Sequence, residues 1–157
     1  MKNLSLISAY SLVLAITSPA MCSEPTSAKE ASRSSARLIT LGTGGGPIMR
    51  AKRAQQASLL IVDGHTYLID CGEGTLRRLA EAGWQPNQIE HVFLTHLHID
   101  HNVELGEIVA FNWQFAGRRK IEIHGPPGTT SMTQAMVRAF AIQEALFDPA
   151  MPPHPTM

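Results

Sequence analysis

The chain has 157 residues, 44% of them hydrophobic, with 13 basic and 13 acidic side chains and a formal net charge of zero. That length holds one domain at most. With no basic stripe, bulk electrostatic capture of nucleic acid is excluded as the main activity, though a nuclease gripping its substrate locally is not.

The first segment reads as a targeting signal. Met1-Lys2-Asn3 is a short basic start, Leu4 to Ile16 is mostly apolar, and small residues around Ser18 to Cys22 suit cleavage. A membrane anchor is the alternative, but the apolar stretch falls short of the ~20 residues a span requires. A lipoprotein signal acylated at Cys22 is a third reading, opposed by Pro19 where a large aliphatic residue is usual. Residues 1–22 are therefore expected to be a signal peptide, with the mature protein periplasmic or secreted. Ser23 to Ala36, rich in Ser and Ala without an apolar period, is expected to be a linker. Removal of Cys22 would leave Cys71 alone, so no internal disulfide is available, and Cys71 is expected to be a small packed residue.

The globular part is placed at 37–147. Arg37 to Leu41 is a first strand, ended by Gly42-Thr43-Gly44-Gly45-Gly46-Pro47. A phosphate loop would need Gly-Lys-Ser/Thr, and a dinucleotide fingerprint would need a helix at once; neither follows, so the glycines are read as a tight loop permitting close backbone approach. Ser58–Val62 and His65–Ile69 form a hairpin across Asp63-Gly64. After Asp70-Cys71-Gly72-Glu73-Gly74-Thr75, the apolar face of Leu76, Leu79 and Ala80 marks a helix closed by Gly83. Asp70 is either a solvated acid or a group that orients a ligand imidazole from behind; Glu73 is read as solvated.

Ile89 to Thr95 carries the buried run Val92, Phe93, Leu94 and is expected to be a parallel strand. It runs into His96-Leu97-His98-Ile99-Asp100-His101, four metal-capable side chains within six residues. Neutral imidazoles and carboxylates are ligands of zinc and other first-row divalent ions. In an extended segment His96, His98 and Asp100 point to one side, and His101 can swing to the same pocket if a helix starts near Asp100. Beyond a second apolar helix around Leu105, Ile108 and Val109, Lys120 to His124 alternates like an edge strand. Met132, Met136 and Phe140 mark a helix running to about Phe147, and 148–157 is a proline-rich tail.

In order and spacing, Leu41 to Pro47, Leu68 to Thr75, Phe93 to His101 and Gly125 to Thr129 resemble the metallo-β-lactamase superfamily, and within it the ribonuclease Z-like branch. The resemblance implies an αββα sandwich with two metals at one edge, zinc first and manganese or iron as alternatives. His96 and His98 would hold one ion, Asp100 and His101 the other, and Asp100 would also carry a proton during hydrolysis. A homodimer is implied as well. The family's remaining ligands lie further downstream, so the chain is read as the N-terminal half of the fold; His124 comes too early and His154 stands in the tail. Ile99 replaces the usual Gly, and Asn102 to Gly106 replaces a Gly-Leu-Pro-Gly-like run. With the export signal, these departures favour an exported hydrolase of a small-molecule phosphodiester, sulfate ester or lactone. A ribonuclease Z-like endonuclease is the alternative, and a non-catalytic remnant with a partial metal site is a reading of another class.

Overall fold

Alternation along the strands decides the architecture. Leu59 in β2 (Ala57–Val62), Leu68 in β3 (His65–Ile69) and Val92 in β4 (His91–Phe93) are fully buried, while their neighbours Leu60, Tyr67 and Phe93 are not. In the computed structural model, which describes residues 35–116, 120–140 and 146, these strands join β1 (Ala36–Gly42) and β5 (Glu122–His124) in one sheet of order β1-β2-β3-β4-β5. The expected signal segment, nearly all of the linker and the tail lie outside the described residues.

β1, β2 and β3 pair antiparallel, and β4 lies parallel to both β3 and β5. The Asp63-Gly64 turn has positive φ at both residues, 50° and 88°, as a two-residue turn matched to strand twist requires. β1 is bulged between Thr40 and Gly42. A Cβ on Gly42 would run into the Gln55 carbonyl, so the glycine admits the neighbouring 53–55 backbone.

One face of the sheet carries the helices α1 (Thr75–Glu81), α3 (Leu105–Ala116) and α4 (Thr129–Arg138). Leu79, Ile89, Leu105 and Ile108 are fully buried with the inward residues of the sheet, each contributing about 1.5–3 kcal/mol by burial. α1 ends with Gly83 at φ 80° and a Trp84 N–H bond back to the Leu79 carbonyl at 2.9 Å, a left-handed cap. The opposite face presents Leu38, at 60% exposure, and Phe93, at 40%. Among the described residues the architecture is thus one sheet with one helical layer, half of an αββα sandwich.

Three expected elements are shorter than the pattern suggested, among them the edge strand expected over Lys120–His124, which spans only Glu122–His124. The strand expected over Ile89–Thr95 is confined to His91–Phe93. A 3₁₀ turn at Pro86–Gln88 occupies the upstream chain, and Thr95 leaves the ladder for a side-chain partner. α4 stops at Arg138 instead of reaching Phe147, with Ala139 and Phe140 in a turn; residues 141–145 and 147 lie outside the described set.

Candidate metal centre

The chain leaves β4 through Leu94 and Thr95, and Thr95 is held by Asp70 at the end of the adjacent parallel strand. The Thr95 N–H donates to Asp70 Oδ1 at 2.8 Å, and the Thr95 hydroxyl donates to Oδ2 at 2.8 Å. Asp70 is buried and takes a left-handed conformation, φ 58°, which Asp adopts more readily than most non-glycine residues. Its own N–H is held by the Phe93 carbonyl at 2.8 Å. Parallel pairing of β3 with β4 therefore aims a carboxylate at the loop that follows β4.

That carboxylate sets the histidines. His101 Nδ1 lies 2.8 Å from Asp70 Oδ2. An ionised carboxylate only accepts, so Nδ1 carries the proton and, in the neutral ring, Nε2 is bare. His96 Nδ1 lies 3.0 Å from Thr95 Oγ1. The Thr95 proton is committed to Asp70, so His96 Nδ1 donates here and its Nε2 is bare too. His96 Nε2 stands 3.1 Å from His98 Nδ1, and His101 Nε2 stands 3.5 Å from Asp100 Oδ2. The His96 and His101 rings lie close and tilted, with centroids 3.9 Å apart at 53°. Two nitrogen ligands at 2.0–2.1 Å from a tetrahedral ion stand about 3.3 Å apart. The donor pairs present fit divalent ions of that class.

Around the donors the backbone is clipped tightly. α2 (Ile99–Asn102) places Asp100 in its first turn, and Asp100 is 6% exposed. The Cys71 N–H donates to the His101 carbonyl at 2.7 Å, and the Glu104 N–H donates to the Cys71 carbonyl at 3.1 Å. Gly72 is needed for this approach, because a Cβ there would meet the Asp100 carbonyl. Burial, then the charges of Asp70, Glu104 and Glu107, push the Cys71 thiol well above its ordinary range, so it is an inert packed group. The Glu104 carboxylate accepts from the N–H groups of Gly74 at 2.5 Å and Leu76 at 2.8 Å, capping α1. Burial raises its pKa despite those bonds.

All four loop residues expected from the sequence, His96, His98, Asp100 and His101, meet in this region, and Asp70 stands behind His101. Sequence reasoning missed Thr95, whose hydroxyl links Asp70 to His96, and Glu104, which ties the loop helix to α1. The available signal for Thr95 was a hydroxyl directly before the first imidazole. His124 does not join this group. It lies on the sheet face with His91 and Glu122, the three donor atoms within 4.8 Å of one another.

A family model described as "Anti-Pycsar protein Apyc1" matches residues 36–133, a span that holds all five strands and the histidine loop. The chain belongs to this family. Within the metallo-β-lactamase superfamily its curated relatives are of the ribonuclease Z branch. Ribonuclease Z of Mycolicibacterium gilvum (strain PYR-GCK) is 42% identical over 107 residues, covering 66% of this chain and 37% of that protein. That of Mycobacterium marinum (strain ATCC BAA-535 / M) is 40% identical over 106 residues, covering 66% and 38%. The chain thus spans little more than a third of these relatives. Among solved structures, the short form of human tRNase Z matches with TM-score 0.59 and 28% identity, over 73% of this chain and 41% of that one. The metallo-β-lactamase fold protein YhfI from Bacillus subtilis matches with TM-score 0.55 and 24% identity, over 64% and 40%, a likeness of fold alone. The chain thus carries part of the metallo-β-lactamase fold.

Proposed function

We propose that the protein carrying this chain is an exported, metal-dependent phosphodiester hydrolase, with His96 and His98 holding one divalent ion and Asp100 and His101 the other. The observation that carries the reading is the tautomer lock: Asp70 and Thr95 occupy the Nδ1 edges of His101 and His96, leaving both Nε2 atoms unprotonated and facing His98 and Asp100. Zinc, or manganese or iron in its place, would lower the pKa of a water to about 7 and polarise the ester. Asp100, buried beside His101, is the group on this chain suited to carry a proton toward the leaving oxygen. Asp70 keeps the His101 ring from rotating as charge develops.

Phosphodiesters are favoured over sulfate esters and lactones because the curated relatives near 40% identity are ribonucleases by name, and ribonucleases cleave phosphodiester bonds. A ribonuclease Z-like endonuclease is therefore the stronger form of the reading, with a small-molecule diester as the other substrate class. Export rests on the apolar run Leu4 to Ile16 with its basic start, and N-terminal sequencing should find a mature start between Met21 and Glu24; an intact Met1 on cytosolic protein refutes it. The activity is tested with bis(p-nitrophenyl) phosphate, p-nitrophenyl sulfate and an acyl-homoserine lactone. The diester should turn over fastest, stop on chelation and recover with added Zn²⁺ or Mn²⁺. Chelator-insensitive turnover, or preference for the sulfate or lactone, contradicts the proposal.

A further inference from the structure

The connection from β1 to β2 holds apolar and cationic side chains out to solvent. We propose that this loop, Pro47 to Arg53, docks the protein on an anionic lipid surface. Ile48 and Met49 would enter the headgroup layer while Lys52 and Arg53 meet lipid phosphates. The loop lies on the helical side of the sheet: Arg78 of α1 donates to the Lys52 carbonyl at 3.4 Å, and a Cβ on Gly74 would press on Ala54. A second sheet laid on the opposite face therefore leaves it exposed.

The backbone of the loop is closed on itself. The Gly44 N–H donates to the Ala54 carbonyl at 2.8 Å, and the Arg53 N–H to the Arg50 carbonyl at 3.2 Å. Gln55 Nε2 donates to the Gly46 carbonyl at 3.2 Å, and Arg50 Nη1 to the Gly45 carbonyl at 2.9 Å. Held this way, Ile48 and Met49 are 72% and 68% exposed. Single exposed apolar residues are ordinary on a protein surface. Two adjacent ones on a loop already ordered by its own hydrogen bonds dock at a smaller entropy cost than a free segment would.

Charge names the partner. No acidic residue occurs from Thr43 to Gln56, a stretch that holds Arg50, Lys52 and Arg53. Arg77 and Arg78 extend the cationic side from α1, both paired with Glu81, and Glu73 is a further acid beside the base of the loop. Lys52 and Arg53 are exposed. An aliphatic tip flanked by cations suits an interface: the apolar side chains sink below the headgroups while the long cationic stems reach lipid phosphates. Each such cation strengthens binding to an anionic surface roughly fivefold. A polynucleotide fits less well, because Ile48 and Met49 offer no ring on which a base could stack and no polar group to read one.

The test is sedimentation of the full chain with vesicles of phosphatidylglycerol and phosphatidylcholine, compared with phosphatidylcholine alone and with poly(U). Lys52→Glu/Arg53→Glu should weaken binding to the anionic vesicles more than about tenfold, and Ile48→Ser/Met49→Ser roughly tenfold. Salt at about 0.5 M should remove most of the charge-dependent part. The apolar run Leu4 to Ile16 also favours lipid, so a local readout accompanies sedimentation. In anionic bicelles doped with a gadolinium lipid, the methyl signals of Ile48 and Met49 should broaden before those of buried Leu59 and Leu68. Circular dichroism matching the parent establishes that each variant is folded. Ile48 and Met49 methyls that broaden no faster than those of Leu59, or equal binding to phosphatidylcholine alone, overturn the proposal. Retention on poly(U) but not on vesicles, lost in Lys52→Glu/Arg53→Glu, overturns it too and gives the loop to nucleic acid.

Discussion

The histidines after β4 and those on the sheet face are organised by different means. In the loop, His96 and His101 each have one nitrogen fixed through the Asp70–Thr95 pair, and Asp70 is itself held at an uncommon φ by the parallel strands. On the face, His91 and His124 have no such anchor behind them; aromatic stacking and the register of β4 with β5 place them. The first arrangement fixes tautomer as well as position, the condition for a ligand that must stay put through a reaction. The second fixes position only.

The largest effect that sharpens this contrast is expected at Asp100. In the full-length protein, Asp100→Ala should lower kcat for a phosphodiester by at least about 10²–10⁴-fold, the range of general acid–base help, with loss of a ligand added. Leu97→Ala, three residues nearer the strand but packed toward the core, should lose about 1–3 kcal/mol of stability and retain the chemistry in the folded fraction. Activity of Asp100→Ala within tenfold of the parent removes it from the mechanism.

Gly72→Ala comes next, because its Cβ would press on the Asp100 carbonyl, a backbone atom that cannot swing away. Denaturant unfolding should show a loss of about 1–3 kcal/mol, accompanied by weaker metal binding at the loop. A Gly72→Ala variant with parental stability contradicts the tight packing described here.

Asp70→Asn keeps the size of the side chain but lets an amide N–H face His101, so the Nδ1–H tautomer of the ring loses the Oδ2 acceptor that fixes it. Loop metal affinity should fall about 10–100-fold, read by competition with a chelating dye, while the stacking of His91 and His124 is untouched. Equal affinity in Asp70→Asn and parent dissolves the distinction between the two groups.

The smallest effect concerns the cap. Glu104→Ala strips acceptors from the N–H groups of Gly74 and Leu76 and should cost about 1 kcal/mol. Because burial raises the Glu104 pKa above 4.5, the native state holds that proton to higher pH than the unfolded chain does. Its contribution is full below that value and declines as pH rises through the raised pKa. Urea midpoints from pH 4 upward should therefore show the gap between parent and variant narrowing. A gap that widens with pH reverses the sign and refutes the buried-carboxylate account.

The grouping of His96, His98, Asp100 and His101 was legible because side-chain chemistry, strand end and helix start fall within one short stretch, Phe93 to His101. The hairpin was legible for the same local reason, Asp63-Gly64 between two apolar runs. The sheet-face group was not, since Glu122 meets His91 only once β5 has docked parallel to β4. Thr95 was read as the end of a strand because its apolar neighbours set the pattern; its actual partner, Asp70, is 25 residues away in sequence. The Asp70 orientation is likewise a product of β3 lying beside β4, which no local pattern reports.

The most direct measurement of the central claim is ¹⁵N NMR of the imidazoles with and without Zn²⁺. Without the ion, His96 and His101 should both carry their proton on Nδ1. With it, His96 Nε2, His98 Nδ1 and His101 Nε2 should show the shifts of ligating nitrogens while the Nδ1 protons of His96 and His101 persist. Ring nitrogens of all three that ignore Zn²⁺, or a His101 protonated on Nε2 and bare at Nδ1, contradict the assignment of this loop as the metal centre.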